Sequence, residues 1–147
     1  MKIDIVNKSP HELPKYETTG SAGMDIRAWI DTFNASVTIQ KHCTEVISTG
    51  LYLNIPEGYE IQIRSRSGLA AKNHIIVANS PGTIDSDYHG EIKVILHNLS
   101  APAFYLYDGD RIAQMVLKKV NTIKWHEIDT ISQSDRGEGG FGSTGIK

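Results

Sequence analysis

The sequence predicts an all-β domain, a sandwich, jelly roll or barrel, with one short helix and a glycine-rich C-terminal arm. Three observations carry this. Apolar and polar residues alternate in short runs, turn-forming residues separate those runs, and spacing at the helical period is nearly absent.

The alternating runs, in order, are Ile3 and Ile5; Val37 and Ile39; Leu51, Leu53 and Ile55; Tyr59, Ile61 and Ile63; Ile92, Val94 and Leu96; Phe104 and Leu106. Turn residues fall between them at Pro56-Glu57-Gly58, Ser80-Pro81-Gly82 and Asp108-Gly109-Asp110. Residues 112–120 fit either period. Their place between turn signals, in a chain already committed to sheet, predicts a strand. The predicted helix is Ser67-Gly68-Leu69-Ala70-Ala71-Lys72, with Ser67 as N-cap hydroxyl and Asn73 as stop.

A chain of 147 residues suffices for one domain with a core, expected over 1–134, and an arm over 135–147. A formal charge of −2 argues against a protein that grips a nucleic-acid backbone, which needs a basic face. The lone Cys43 allows neither an internal disulfide nor a cysteine metal cage within one chain, and a reducing, cytoplasmic setting is expected. No apolar run approaches a membrane span, so no membrane partner is expected.

The arm, Arg136-Gly137-Glu138-Gly139-Gly140-Phe141-Gly142-Ser143-Thr144-Gly145, holds five of the thirteen glycines. Ordering such a segment costs roughly 1 to 2 kcal/mol per residue, so it needs an outside contact. Bare N–H groups and hydroxyls suit phosphate oxygens, Arg136 adds a fork of donors, and Phe141 offers a face for a base. Gly137, Gly139 and Gly142 match G-x-G-x-x-G, but that fingerprint requires a strand before it and a helix after it. The P-loop reading fails because Ser143 stands at the lysine position. A solvated tail remains the alternative until other clusters are considered.

Four such clusters stand out. Gly20 and Gly23 flank Asp25 at the mouth of a strand, as a capped turn or as a site. Arg64 and Arg66 precede the helix start, as a solvated basic edge or an anion clamp. Residues 79–91 look like a hairpin leading into the strand 91–98, with Asp85 and Asp87 on opposite faces if extended. A calcium loop is the less favoured alternative there, for no EF-hand spacing or twelfth-position glutamate follows. The fourth is 110–115, where Asp110 can pair with Arg111 at a turn and Gln114 is a polar residue inside an apolar strand.

In this order, with the arm, the clusters resemble the five motifs of the trimeric dUTPase family: Ala22-Gly23-Met24-Asp25, Arg66-Ser67-Gly68-Leu69-Ala70, Gly82-Thr83-Ile84-Asp85-Ser86-Asp87-Tyr88, Arg111-Ile112-Ala113-Gln114, and Arg136-Gly137-Glu138-Gly139-Gly140-Phe141-Gly142. The resemblance implies a jelly-roll-like β fold and a homotrimer whose three sites are each built from all three chains. It implies that dUTP and Mg²⁺ enter and that dUMP and pyrophosphate leave. By the same carry-over Asp85 is the catalytic aspartate that positions the attacking water. Arg66, Ser67, Gly68, Gln114 and Arg136 hold the phosphates. Asn79 and the backbone from Thr83 through Ile84 to Lys93 read uracil, Tyr88 packs beneath the deoxyribose, and Phe141 with Gly142 closes over the base. Mg²⁺ would ride on the triphosphate and water, with Asp25 reaching it through a water. A dCTP deaminase, with or without dUTP hydrolysis, shares the architecture, but Tyr88 and the complete arm resemble the uracil-specific branch. A nucleotide-responsive regulatory protein is the alternative of another class.

Overall fold

The computed structural model describes residues 1–31 and 36–140. Among these, eleven strands and one helix follow in order: β1 (Asp4–Asn7), β2 (Met24–Arg27), β3 (Ser36–Ile39), β4 (Thr44–Ser48), β5 (Leu51–Asn54), β6 (Tyr59–Arg64), α1 (Ser67–Asn73), β7 (Ile75–Val77), β8 (Gly82–Ile84), β9 (Lys93–Asn98), β10 (Phe104–Tyr107) and β11 (Arg111–Lys119). The strands form a four-stranded sheet in the order β2-β11-β6-β8, a three-stranded sheet β4-β9-β7, and the pairs β1-β5 and β3-β10, all antiparallel.

Alternation places one face of each strand inward. Ile61 and Ile63 of β6, Ile112 and Met115 of β11, Val94 and Leu96 of β9, and Leu106 of β10 join a single buried cluster with Ile26, Ile39 and Ile75. That cluster lies where β9 meets β11 and β3, so the sheets close on one core in a jelly-roll-like arrangement. The ambiguous segment 112–120 lies in the long strand β11 as far as Lys119, as its neighbours implied.

Two local expectations are corrected. Segments 82–84 and 93–98 do not form a hydrogen-bonded hairpin. β8 pairs with β6, matching Thr83 to Gln62, while β4 and β7 occupy both edges of β9. A strand has only two edges, so β8 had to find another partner, and residues 85–92 became a loop between sheets. Ser67, in turn, is the first helical residue and not the cap. Arg66 holds the cap position with extended φ −84° and ψ 129°, and no side-chain cap bond forms. The nearby Ser65 hydroxyl is engaged elsewhere, accepting from the Val77 N–H at 2.9 Å. The helix stops at Asn73 as expected, where His74 turns left-handed at φ 57° and returns its N–H to the Leu69 carbonyl.

After Lys119 the chain leaves the sheets. Residues 121–134 are exposed and contain no helix or strand, with Trp125 89% and Ile131 87% accessible. No helix among the described residues is long and apolar enough to cross a membrane.

Candidate active site

Register assembles the first group of side chains. On β11, Gln114 lies opposite Asp25 of β2 on one side and Arg64 of β6 on the other, so three sequence clusters meet in one row. The chain then continues past Arg64 into Ser65 and Arg66. Arg66 donates from Nε to Asp25 Oδ1 at 2.9 Å and from Nη1 to the Arg111 carbonyl at 3.1 Å. Arg111 reaches the other oxygen of Asp25 at 3.2 Å, and Gln114 donates to the Ser65 carbonyl at 3.2 Å. Asp25 is thus a half-buried carboxylate forked between two guanidinium groups.

This row explains Gly23 and corrects one pairing. A Cβ on Gly23 would lie 2.8 Å from Gln114 Oε1 and 3.2 Å from the Met115 carbonyl, so only glycine lets β2 approach β11 this closely. Asp110 does not pair with Arg111. Its Oδ2 accepts from the Tyr107 N–H at 2.9 Å, closing the β10–β11 turn, while Arg111 is drawn to Asp25. Arg64 turns aside to Gln62 Oε1 at 2.6 Å. Ser67 and Gly68 stand at the first turn of α1, and a Cβ on Gly68 would meet open space.

The second group surrounds a cleft of about 290 Å³ lined by Thr83, Ile84, Asp85, Tyr88, Glu91 and Lys93. Asp85 and Asp87 are both exposed, so neither points into the core of the single chain. Tyr88 folds back over its own loop. Its hydroxyl donates to the Glu91 carbonyl at 3.0 Å, and a Cβ on Gly90 would lie 2.5 Å from that hydroxyl. Asn79 packs under Gly82, its Nδ2 3.0 Å from where a Cβ would stand. Glu91, the last residue of the 79–91 cluster and one to whose side chain the sequence pattern assigned no role, has one oxygen on the turn between β4 and β5 and the other beside Lys93. Its signal was weak because a glutamate at a strand mouth looks like ordinary surface.

Arg136 lies apart from both groups, donating to the Gly139 carbonyl at 2.8 Å within its own turn. The expectations for Phe141 and Gly142 fall outside the described residues. Among the described residues no three His, Cys, Asp or Glu side chains converge as a metal cage.

The family model described as dUTPase matches residues 9–145. A deoxyuridine 5'-triphosphate nucleotidohydrolase of Finegoldia magna is 50% identical over 145 residues, covering 99% of each chain. The protein of that description from Rickettsia bellii is 53% identical over 146 residues, covering 99% of this chain and 95% of its own. Among solved structures, a mutant dUTPase of Staphylococcus bacteriophage 80alpha with dUpNHpp superposes with a TM-score of 0.86 at 25% identity, covering 99% of both chains. The dUTPase of phage phi11 of S. aureus, described with a structural Mg(II) ion, shares the fold with a TM-score of 0.78 at 21% identity over 90% of this chain.

Proposed function

This chain belongs to the dUTPase family, and from that premise we infer that it hydrolyses dUTP to dUMP and pyrophosphate. The observation that carries the reading is the convergence of Asp25, Arg66, Arg111 and Gln114 into one anion-handling group, with a separate cleft formed by Thr83, Ile84, Asp85 and Tyr88.

In the reaction a water oxygen attacks the α-phosphorus in line with the bridging oxygen to the β-phosphate. The bond to that oxygen breaks, its electron pair leaves with pyrophosphate, and the water proton passes to a nearby acceptor. Asp85 is the residue assigned to orient this water and receive its proton. An aspartate of ordinary basicity deprotonates water poorly, so orientation and stabilisation of the developing charge carry most of its effect. Arg66, with Ser67, Gly68 and Gln114, holds the phosphate chain. Arg136 joins them when the arm, 135–147, folds over a site with Phe141 and Gly142. Asn79 and the backbone of residues 83–93 take the uracil edge. Tyr88 takes the sugar, where a 2′-hydroxyl would collide with it.

Mg²⁺ fits this donor set as an ion carried on the triphosphate. Asp25 is a hard oxygen donor, and its lone pairs not directed at Arg66 and Arg111 can accept from metal-bound water. When bound, the ion neutralises phosphate charge and fixes the chain's conformation. The protein's residues supply the orientation.

The two groups line different clefts of one chain, and neighbouring copies in a homotrimer would complete each site. The exposed Ile123, Trp125, Ile128 and Ile131 support this assembly, because an apolar extension of that kind calls for a covering surface. An apolar groove of about 170 Å³ bounded by Ile3, Ile5, Leu53 and Met115 has matching chemistry. A cytoplasmic setting suits the exposed thiol of Cys43.

Offering dUTP, UTP, dTTP and dCTP with Mg²⁺ and measuring pyrophosphate and ammonia tests the function. Pyrophosphate from dUTP alone is expected. Ammonia from dCTP would identify a deaminase.

A further inference from the structure

Glu91 sits between a rigid turn and the cleft that receives base and sugar. One oxygen, Oε1, accepts from the N–H of Thr49 at 3.1 Å and of Gly50 at 2.9 Å. The other lies 3.6 Å from Lys93 Nζ, and the side chain is only 15% exposed. A carboxylate this far from water is costly unless it is compensated, and here two N–H donors bond one oxygen while the Lys93 ammonium lies within ion-pair distance of the other.

The turn that anchors it is tightly constrained. Thr49 is 2% exposed, and its hydroxyl donates to the Ile92 carbonyl at 2.5 Å and accepts from the Leu51 N–H at 3.2 Å. Gly50 has φ +71°, and a Cβ there would lie 2.7 Å from the Ser9 nitrogen and 2.9 Å from the Trp29 ring. No other residue fits without moving that backbone. On the cleft side, the Glu91 carbonyl accepts from the Tyr88 hydroxyl, and the absence of a side chain on Gly90 lets the Tyr88 ring lie over the loop.

We propose that Glu91 is a positioning residue for sugar and base recognition: it ties the loop carrying Tyr88, and the start of β9 at Lys93, to the fixed Thr49–Gly50 turn. This rests on the dUTPase reading above. Glu91 need not touch substrate. It acts through the placement of Tyr88 and Lys93, so its loss falls on binding and sugar selectivity more than on turnover.

The test compares wild type, E91A, E91Q and E91D for kcat and KM with dUTP and UTP, with thermal unfolding as a control of fold. E91A is expected to raise KM for dUTP on the order of tenfold and to narrow the dUTP-over-UTP preference by a similar factor, with kcat within about threefold. E91Q, whose amide oxygen still accepts from both N–H groups, is expected to recover most of the loss. If E91A does not fold, E91D carries the test, since one methylene less shortens its reach and should give an intermediate loss. A folded E91A or E91D with wild-type KM and selectivity overturns the proposal, as does a loss confined to kcat or an E91Q no better than E91A. Failure of the wild-type enzyme to hydrolyse dUTP in the same assay overturns the dUTPase reading and this proposal with it. Normal wild-type turnover with an unaffected Glu91 series overturns this proposal alone.

Discussion

Asp85 and Asp108 show how the surroundings of a carboxylate decide its use. Asp85 is exposed at the cleft loop, where a water and a phosphate can approach it. Replacing it by asparagine keeps the shape and removes the carboxylate proposed to accept the water proton. The expected result for D85N is a kcat lower by on the order of 10² to 10⁴ with nucleotide affinity retained, measured by single-turnover hydrolysis and by binding of a non-hydrolysable dUTP analogue. Asp108 serves structure. Burial alone would raise its pKa, but the Ile30 N–H, the His11 ring with its charge and the Gly109 N–H outweigh burial and hold it below the ordinary 3.8. A depressed carboxylate contributes stability above its unfolded value and loses it as pH falls through its lower folded value. Urea midpoints followed downward from neutrality should therefore fall below about pH 3.8 for wild type, with a flatter acid limb for D108N. The neutral-pH cost of D108N should be about 1 kcal/mol or less, because Asp108 is partly exposed.

Among the elements, those with clean alternation were legible from the sequence and those without it were not. Residues 59–64 and 92–97 point successive residues to opposite faces, and Ile61, Ile63, Ile92, Val94 and Leu96 are buried as the pattern implies, with Tyr59 half-buried. β4 breaks the rule, because Val46 is 60% exposed while Glu45 is half-buried, so no period of two survives in its sequence. β7 is three apolar residues, too short for any period. The motif residues Asp25, Arg66 and Gln114 were legible by type and order. Their meeting in one row depends on β11 lying between β2 and β6, a long-range pairing that local pattern does not encode. Asp25's double pairing with Arg66 and Arg111 was hidden for the same reason. The role proposed for the arm can be tested apart from the fold. A chain ending at Asp135 should assemble as the full chain does on size-exclusion chromatography, yet lose on the order of 10²-fold or more in kcat/KM, since it removes Arg136 and the residues assigned to cover the base.

For the whole molecule, the decisive feature is what one chain leaves uncovered. Ile123, Trp125, Ile128 and Ile131 lie in water after the last strand, an arrangement a solitary chain gains nothing from. Sedimentation should give a particle three times the 16.2 kDa chain mass. Removing residues 121–147 should shift it to smaller or aggregating species and abolish hydrolysis. A full-length monomer with normal turnover would contradict the shared site.

β11 starts at Arg111, beside the row that holds Asp25 and Gln114, and ends at Lys119, just before the uncovered extension. At about 3.3 Å per residue its nine residues make a strut of roughly 30 Å, anchored through most of its length by ladders to β2 and β6. In the proposed homotrimer, β11 is the element that would link a neighbour's hold on the extension to the guanidinium that grips Asp25.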